Sequence, residues 1–427
     1  MARRGTVIVL VSGFTLISVV HAWGRWLQTR GFRMRVNAPP LTGNVDPRAS
    51  AWSLPALAVA VGAVGGADEV ARSLPWRRLL WAAFAGALLW TVALALWDGA
   101  SGLTRSPGSG ADYLAALPSL DGLGGFLRTL VLETRSLPTH VQAHPPGMVV
   151  LLLAMREVGI ASTGWIAALE HLAGAASVPA VLLVAREVGG ERVARAAAPF
   201  IVFSPIAIAW SSGDAVFLGV GAWAVALLVL ATGAGGRRAD GMALAGGVLW
   251  ALAAFLSYGI VLLGLVPLVV AWRRERLRVV ALGTVPVIAA VGLAAAGGFW
   301  WFEGLAATRE AYAHSVARVR PYPFFLVANL AAVAVVVGPA VWVGLARLRD
   351  RRIWWLAGAV LTAIAIADVS GLSKAEVERI WLPFLPWLVI AAGAALGAEA
   401  SSRSRRVWLG AQVAWALLVQ AVVLSPW

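Results

Sequence analysis

His144-Pro-Pro-Gly-Met-Val-Val-Leu-Leu-Leu-Ala-Met155 joins a polar start to an unbroken apolar run. Proline in a first helical turn needs no N–H partner, and the residue before a proline is pushed out of the helical region, so a helix begins here at a fixed point. Its N-terminus, with a partial positive charge, then faces the polar side. Apolar segments near the ~20 residues that cross a bilayer recur from end to end, divided by short basic breaks. The chain is 60% hydrophobic and 13% charged, which excludes an ordinary soluble domain. It reads as an all-α polytopic transmembrane bundle of about 12–14 spans.

Zero cysteines exclude a disulfide framework and a thiolate metal site. The net charge of +14 comes almost wholly from arginine, Lys374 being the only lysine. In such a chain this excess reports cytoplasmic loops, and no nucleic-acid partner is called for. The clusters Arg237-Arg238, Arg273 to Arg278, Arg347 to Arg352 and Arg403 to Arg406 fall inside by that rule. Ser211 to Asp214, Ser257 to Gly259, Trp301 to Tyr322 and Ser370 to Arg379 then fall outside. Arg72, Arg77 and Arg78 place the start of the 79–97 span inside, so the loop 98–143 emerges on the outer face of the plasma membrane, and Trp427 ends outside. Two places resist the rule. Arg156 and the group Arg186, Arg192 and Arg195 both look cytoplasmic across one apparent crossing, 161–185. Arg25, Arg30, Arg33 and Arg35 would lie outside if both 6–22 and the short 52–66 segment span. The chain therefore divides into an N-terminal membrane region of uncertain topology, 1–78, a core, 79–398, and a C-terminal span, 399–427.

The loop 98–143 is long for a connection between spans, and long loops are functional or disordered. Tyr113, Leu114, Leu117, Leu120, Leu123, Phe126, Leu127, Leu130 and Val131 recur at helical spacing, which argues for amphipathic helices along the interface, with Arg128 and Arg135 on the wet side. Such a loop would form a lid. Its acids are Asp98, Asp112, Asp121 and Glu133; the plain alternative for each is a helix cap or a solvated charge.

Asp112-Tyr113, then His144-Pro-Pro-Gly, then Ser204-Pro205 and Asp214-Ala-Val-Phe follow one another in an order that resembles the lipid-linked-sugar glycosyltransferases of the GT-C class, within it the branch of protein O-mannosyltransferases and lipid A aminoarabinose transferases. Phe255-Leu-Ser-Tyr-Gly259 resembles that family's Leu-Thr-Lys-Gly turn, with Tyr258 in place of the lysine, and Glu378-Arg-Ile-Trp-Leu-Pro-Phe-Leu-Pro386 its Arg-Tyr-Leu-Leu-Pro segment. The acidic pair the family often shows is here Ala111-Asp112. The resemblance implies a sugar on a polyprenyl phosphate as donor, a glycan, lipid or protein hydroxyl as acceptor, contact with membrane lipids, inversion at the anomeric carbon and no cofactor.

That chemistry needs a carboxylate to take the acceptor's proton and cations for the leaving phosphate. Asp112 is the expected base, or the group that orients the acceptor hydroxyl, with Asp98 the alternative base. Asp214 holds the acceptor or positions cations, its plain alternative being an N-cap. Lys374 and Arg379 are candidates for the phosphate, against pairing with Glu376 or Glu378. Arg318 and Arg320 form a second basic patch, suited to a donor or a lipid phosphate. His140 and His144 have a spacing that invites a metal, but the prolines place His140 outside the helix, so no metal site is assigned and a hydrogen bond to donor or to the Asp112 loop is preferred. A secondary transporter would instead place ionisable groups at the midplane and show two similar halves; a non-catalytic scaffold of a cell-envelope complex is the third reading.

Overall fold

The apolar stretches fold as long helices in the computed structural model, which describes residues 2–120, 122–132, 134–398 and 400–426. Asp121, Glu133, Trp427 and the side chain of Arg128 lie outside what is described. The protein is a polytopic helical membrane protein. Helices α1 (Ala2–Thr29), α2 (Leu54–Ser73) and α3 (Trp76–Ala95) are each long and apolar enough to cross a membrane. Thr6 meets Arg347 at one end of α1, while residues 34–48 return hydrogen bonds to Arg320, Glu378 and Asp98 at the other.

The long loop contains short 3-10 turns, one of them Tyr113–Ser119, and the helices α4 (Gly122–Leu132) and α5 (Thr139–Gln142). Its apolar residues Tyr113, Leu117, Leu120, Phe126 and Leu130 are buried, whereas Leu123 and Leu132 are exposed. One helix of the loop is thus amphipathic, and the rest is held by irregular turns. Helix α6 (Gly147–Glu157) follows, then α7 (Thr163–Gly189), α8 (Glu191–Val202), α9 (Asp214–Gly233) and α10 (Gly236–Leu256). Helices α7 and α9 pack closely at the centre and are the most deeply buried spans, as expected of small-residue faces that let backbones approach in lipid.

The second half comprises α11 (Leu265–Arg273), α12 (Leu277–Ala296), α13 (Trp301–His314), α14 (Tyr322–Val337), α15 (Pro339–Arg347), α16 (Arg351–Val369), α17 (Val377–Ile380), α18 (Leu385–Ala392) and α19 (Ser402–Val422). Gly338 has φ 81°, open to glycine at little cost, and there α14 and α15 bend by 102°. A π-helical turn, Gly393–Gly397, continues α18. The two short strands β1 (Asn44–Val45) and β2 (Val423–Leu424) pair antiparallel and tie the N-terminal loop to the C-terminus.

By length and hydropathy eight helices can cross a membrane, or nine if the bent α14–α15 pair is one span, among the described residues. This is fewer than the 12–14 spans read from the sequence. Several apolar runs fold as shorter or broken helices, such as Gly259–Arg273 and Leu382–Gly397. The Pro-Pro helix is one of the short ones. At 11 residues α6 is about 16 Å long, half a hydrocarbon core, and Arg156 near its end donates to the Leu117 carbonyl of the long loop at 3.0 Å. Arg156 therefore lies with the loop, and α7 is the crossing that leads to Arg186. The 52–66 segment, in turn, lies within a helix of 23 residues, Ala51–Ser73, long enough to span, which puts Arg30 and Arg35 at the same end as Asp98.

Candidate functional site

Four separate segments converge at this end of the bundle. Asp112 caps the turn Tyr113–Ser119, its Oδ1 accepting from the Tyr113 N–H at 2.7 Å. Its Oδ2 meets Nδ1 of His140, on α5, at 3.1 Å. The opposite ring nitrogen, Nε2, lies 3.0 Å from Nη2 of Arg379 on α17. A guanidinium only donates, so in this chain Nε2 accepts and the Nδ1–H donates to Asp112. Arg379 completes the chain through Nη1 to Asp214 Oδ2 at 2.5 Å and through Nη2 to Glu376 Oε2 at 2.7 Å. Asp214, in the first turn of α9, is where a carboxylate is favoured by the helix dipole.

Asp112, Asp214 and Arg379 are buried, and the His140 side chain is the more open member at 15% exposure. Burial alone would weaken the Arg379 cation, but the carboxylates of Asp214 and Glu376 outweigh it and raise its pKa. Burial likewise works against Glu376 ionising, and the guanidinium groups of Arg379 and Arg320 overcome it and hold the carboxyl below its usual range. Glu378 differs: burial pushes it up to about 7, with Oε1 accepting from the Thr42 N–H at 2.7 Å and Oε2 unpartnered. Of the three acids in the chain, Asp112 has no guanidinium within ion-pair distance among the described residues.

His144 joins the same cluster by packing rather than by charge. Its Nδ1 donates to the His140 carbonyl at 2.8 Å, and its ring lies against Tyr113 and Phe217 at 5.7 and 5.2 Å. Burial lowers its pKa to about 4, so the ring is neutral at ordinary pH. Burial, reinforced by the nearby carboxylates of Asp214 and Asp112, raises the Tyr113 phenol well above its usual value.

Asp98 lies apart from this chain. Both its oxygens are taken, Oδ1 by Arg48 and Oδ2 by Arg105 at 2.6 Å; Arg48 also donates to the Val423 carbonyl and Arg105 to that of Ser425. The acid thus fastens the N-terminal loop and the C-terminus to α3. Arg320 is also an internal tie, donating to the carbonyls of Met34 at 2.9 Å and Lys374 at 2.5 Å. Arg318 and Lys374 line a cavity of about 600 Å³, with Arg309, Glu310 and Tyr312. The Lys374 Nζ donates to the Ala317 carbonyl at 3.1 Å, and its backbone N–H to the Tyr312 hydroxyl at 2.8 Å. Tyr258 is buried with its ring edge-on to Trp301 at 4.9 Å. Among the described residues no cluster of three or more potential ligands could hold a metal.

Glu376 was legible in the sequence only as a partner for Arg379, a pairing the structure shows, whereas its backbone geometry, Asn329 and Glu170 were not read from it. Ala375 and Glu376 both have positive φ, 74° and 63°, a costly geometry for non-glycine residues that survives only where surroundings enforce it. Asn329 of α14 enforces it, donating to Asp368 and to the Ser373 carbonyl while accepting from the Ala375 N–H. A partner 46 residues away leaves no local pattern. Glu170, inside α7, is fully buried with both carboxyl oxygens unpartnered. Its signal was available, because a lone acid in an apolar span is a functional candidate by default.

No family model matches this sequence, and no curated protein matches it. Among solved structures, the chain is similar to ArnT from Cupriavidus metallidurans in the apo state, at 20% identity and a TM-score of 0.42. The likeness covers 67% of this chain and 57% of that one, so this chain matches little more than half the length of its structural neighbour.

Proposed function

We propose that the protein is a membrane glycosyltransferase that moves a sugar from a polyprenyl-phosphate donor to a hydroxyl acceptor, at the extracytoplasmic face of the plasma membrane. The observation that carries this reading is the continuous chain Asp112–His140–Arg379–Asp214, assembled from the long loop, α17 and the head of α9. Asp112 is the base: its carboxylate faces an imidazole and a backbone N–H, whereas Asp98 is neutralised by two guanidinium groups. The acceptor oxygen attacks the anomeric carbon with inversion as Asp112 takes its proton, and the bond from that carbon to the phosphate oxygen breaks. The departing polyprenyl phosphate keeps the electron pair, and cations stabilise its charge. Lys374 and Arg318, facing the 600 Å³ cavity, supply that charge; Arg379, already held by two carboxylates, orients His140 and Asp214. The turn Tyr113–Ser119 and α4 act as the lid.

One observation favours a second reading. Glu170, a buried acid within a span, is what a transporter would use as a coupling site. The discriminating experiment incubates the purified protein in proteoliposomes with a panel of polyprenyl-phosphate sugars and a cell-envelope extract as the source of hydroxyl acceptor, and measures release of polyprenyl phosphate. Release with at least one donor, lost in Asp112→Asn, supports the transferase. No release with any donor, together with Glu170-dependent solute uptake, would replace it with the transporter.

A further inference from the structure

At the end of the bundle opposite the Asp112 chain, a cavity of about 930 Å³ opens between the start of α1, the α7–α8 junction, the α15–α16 junction and the π-helical turn. Its rim carries Arg192, Arg347, Arg349 and Arg352 against a single acid among its lining residues, Asp350. That acid is already engaged as the cap of α16, accepting from the N–H groups of Arg352 at 2.8 Å and Ile353 at 3.4 Å. Arg347 donates to Thr6 of α1. Arg192 and Arg349 are exposed, and neither has a carboxylate within ion-pair distance among the described residues. Four guanidinium groups thus line one opening, and the one carboxylate among the lining residues, Asp350, lies 3.7 Å from Arg352, which leaves an excess of positive charge.

Below the rim the wall is apolar, formed by Val9, Val193, Val343 and Ala394. Beside it α1 turns Val7, Ile8 and Val11 away from the protein, 58, 64 and 57% exposed, a face that belongs to lipid in a membrane. Cations above and hydrocarbon below match a phospholipid with a net negative headgroup, because guanidinium groups bind phosphate in paired hydrogen bonds and basic pockets between transmembrane helices hold such headgroups. A soluble anion would use the rim and leave the apolar wall without a role. We propose that this cavity binds one anionic phospholipid, its phosphate among Arg192, Arg349 and Arg352 and its acyl chains along α1. The site is separate from the proposed transferase centre and does not depend on that reading.

The test is native mass spectrometry of the detergent-purified full chain with dioleoyl phosphatidylglycerol, with dioleoyl phosphatidylcholine, and with inorganic phosphate as competitor. Wild type is expected to retain one phosphatidylglycerol in preference to phosphatidylcholine, and phosphate to leave it bound. Arg192→Gln, Arg349→Gln and Arg352→Gln together should lower that affinity about a hundredfold, and Arg349→Gln alone, at an exposed position where folding is not at stake, about fivefold. Arg237→Gln with Arg238→Gln, another exposed pair at the same end, should leave it unchanged. Retention in Arg349→Gln equal to wild type, equal loss in the Arg237 and Arg238 control, or displacement by millimolar phosphate would each overturn the proposal.

Discussion

Glu378 and His144 sit within the same buried cluster and titrate in opposite senses. A free glutamate has a pKa near ~4.3, and burial raises Glu378 to about 7, so the folded protein holds a proton there that the unfolded chain has released. Its contribution to stability is therefore greatest at low pH and falls by roughly 3 to 4 kcal/mol as pH rises toward 7. His144, lowered to about 4 by burial, binds a proton more weakly when folded, so its contribution is intact above ~6.5 and is lost as pH falls toward 4. Thermal midpoints of Glu378→Gln should lose the decline between pH 5 and 7.5 that wild type shows once the His144 slope is subtracted using His144→Phe. An unchanged pH profile in Glu378→Gln would mean that this carboxyl is ionised throughout, with a partner beyond the Thr42 N–H.

At the scale of elements, the Pro-Pro helix shows both what the sequence discloses and what it hides. Its start is where the prolines put it, at Gly147, but its length was legible only as hydropathy, which does not tell an 11-residue helix under the loop from a crossing. Gly147 explains the fit: a Cβ there would lie 2.3 Å from the Phe255 carbonyl oxygen and 2.7 Å from its carbon, both backbone atoms that cannot give way. Gly147→Ala should thus push α6 away from the end of α10 and cost about 1–3 kcal/mol, lowering the thermal midpoint and the activity together. Gly124→Ala, on α4 with nothing within 4 Å, should cost neither. The members Asp112, His140, Asp214 and Arg379 were each readable as residue types at the heads of elements. Their joining was not readable, since the contact of Arg379 with Asp214 spans 165 positions and that with His140 spans 239. Asp98 looked equivalent to Asp112 for the same reason, because its partners Arg48 and Arg105 come from two different segments.

Across the whole molecule, polarity is divided between two ends. Asp214 opens α9 at the end that holds the candidate site, and Thr232, one residue before its close, accepts from Arg274 together with Glu187 at the other. The basic cluster at 273–278 thus lies about 30 Å from Asp214, one length of α9 away. Arg30 and Arg35 depart from the basic-side rule, and they sit on the loop that closes over Glu378 and Arg320. The absence of cysteine makes the orientation directly measurable. Ser109→Cys should react with an impermeant maleimide in intact cells, and Arg237→Cys only after permeabilisation; the reverse pattern would place the site on the cytoplasmic side. The central claim is that Asp112, and not Asp98, removes the acceptor's proton, and it is tested most directly by sugar transfer in proteoliposomes with Asp112→Asn and Asp98→Asn side by side. The proposed mechanism predicts that Asp112→Asn loses about 10²–10⁴-fold in kcat, while Asp98→Asn keeps kcat and loses thermal stability. Full transfer by Asp112→Asn, or selective loss of kcat in Asp98→Asn, would contradict it.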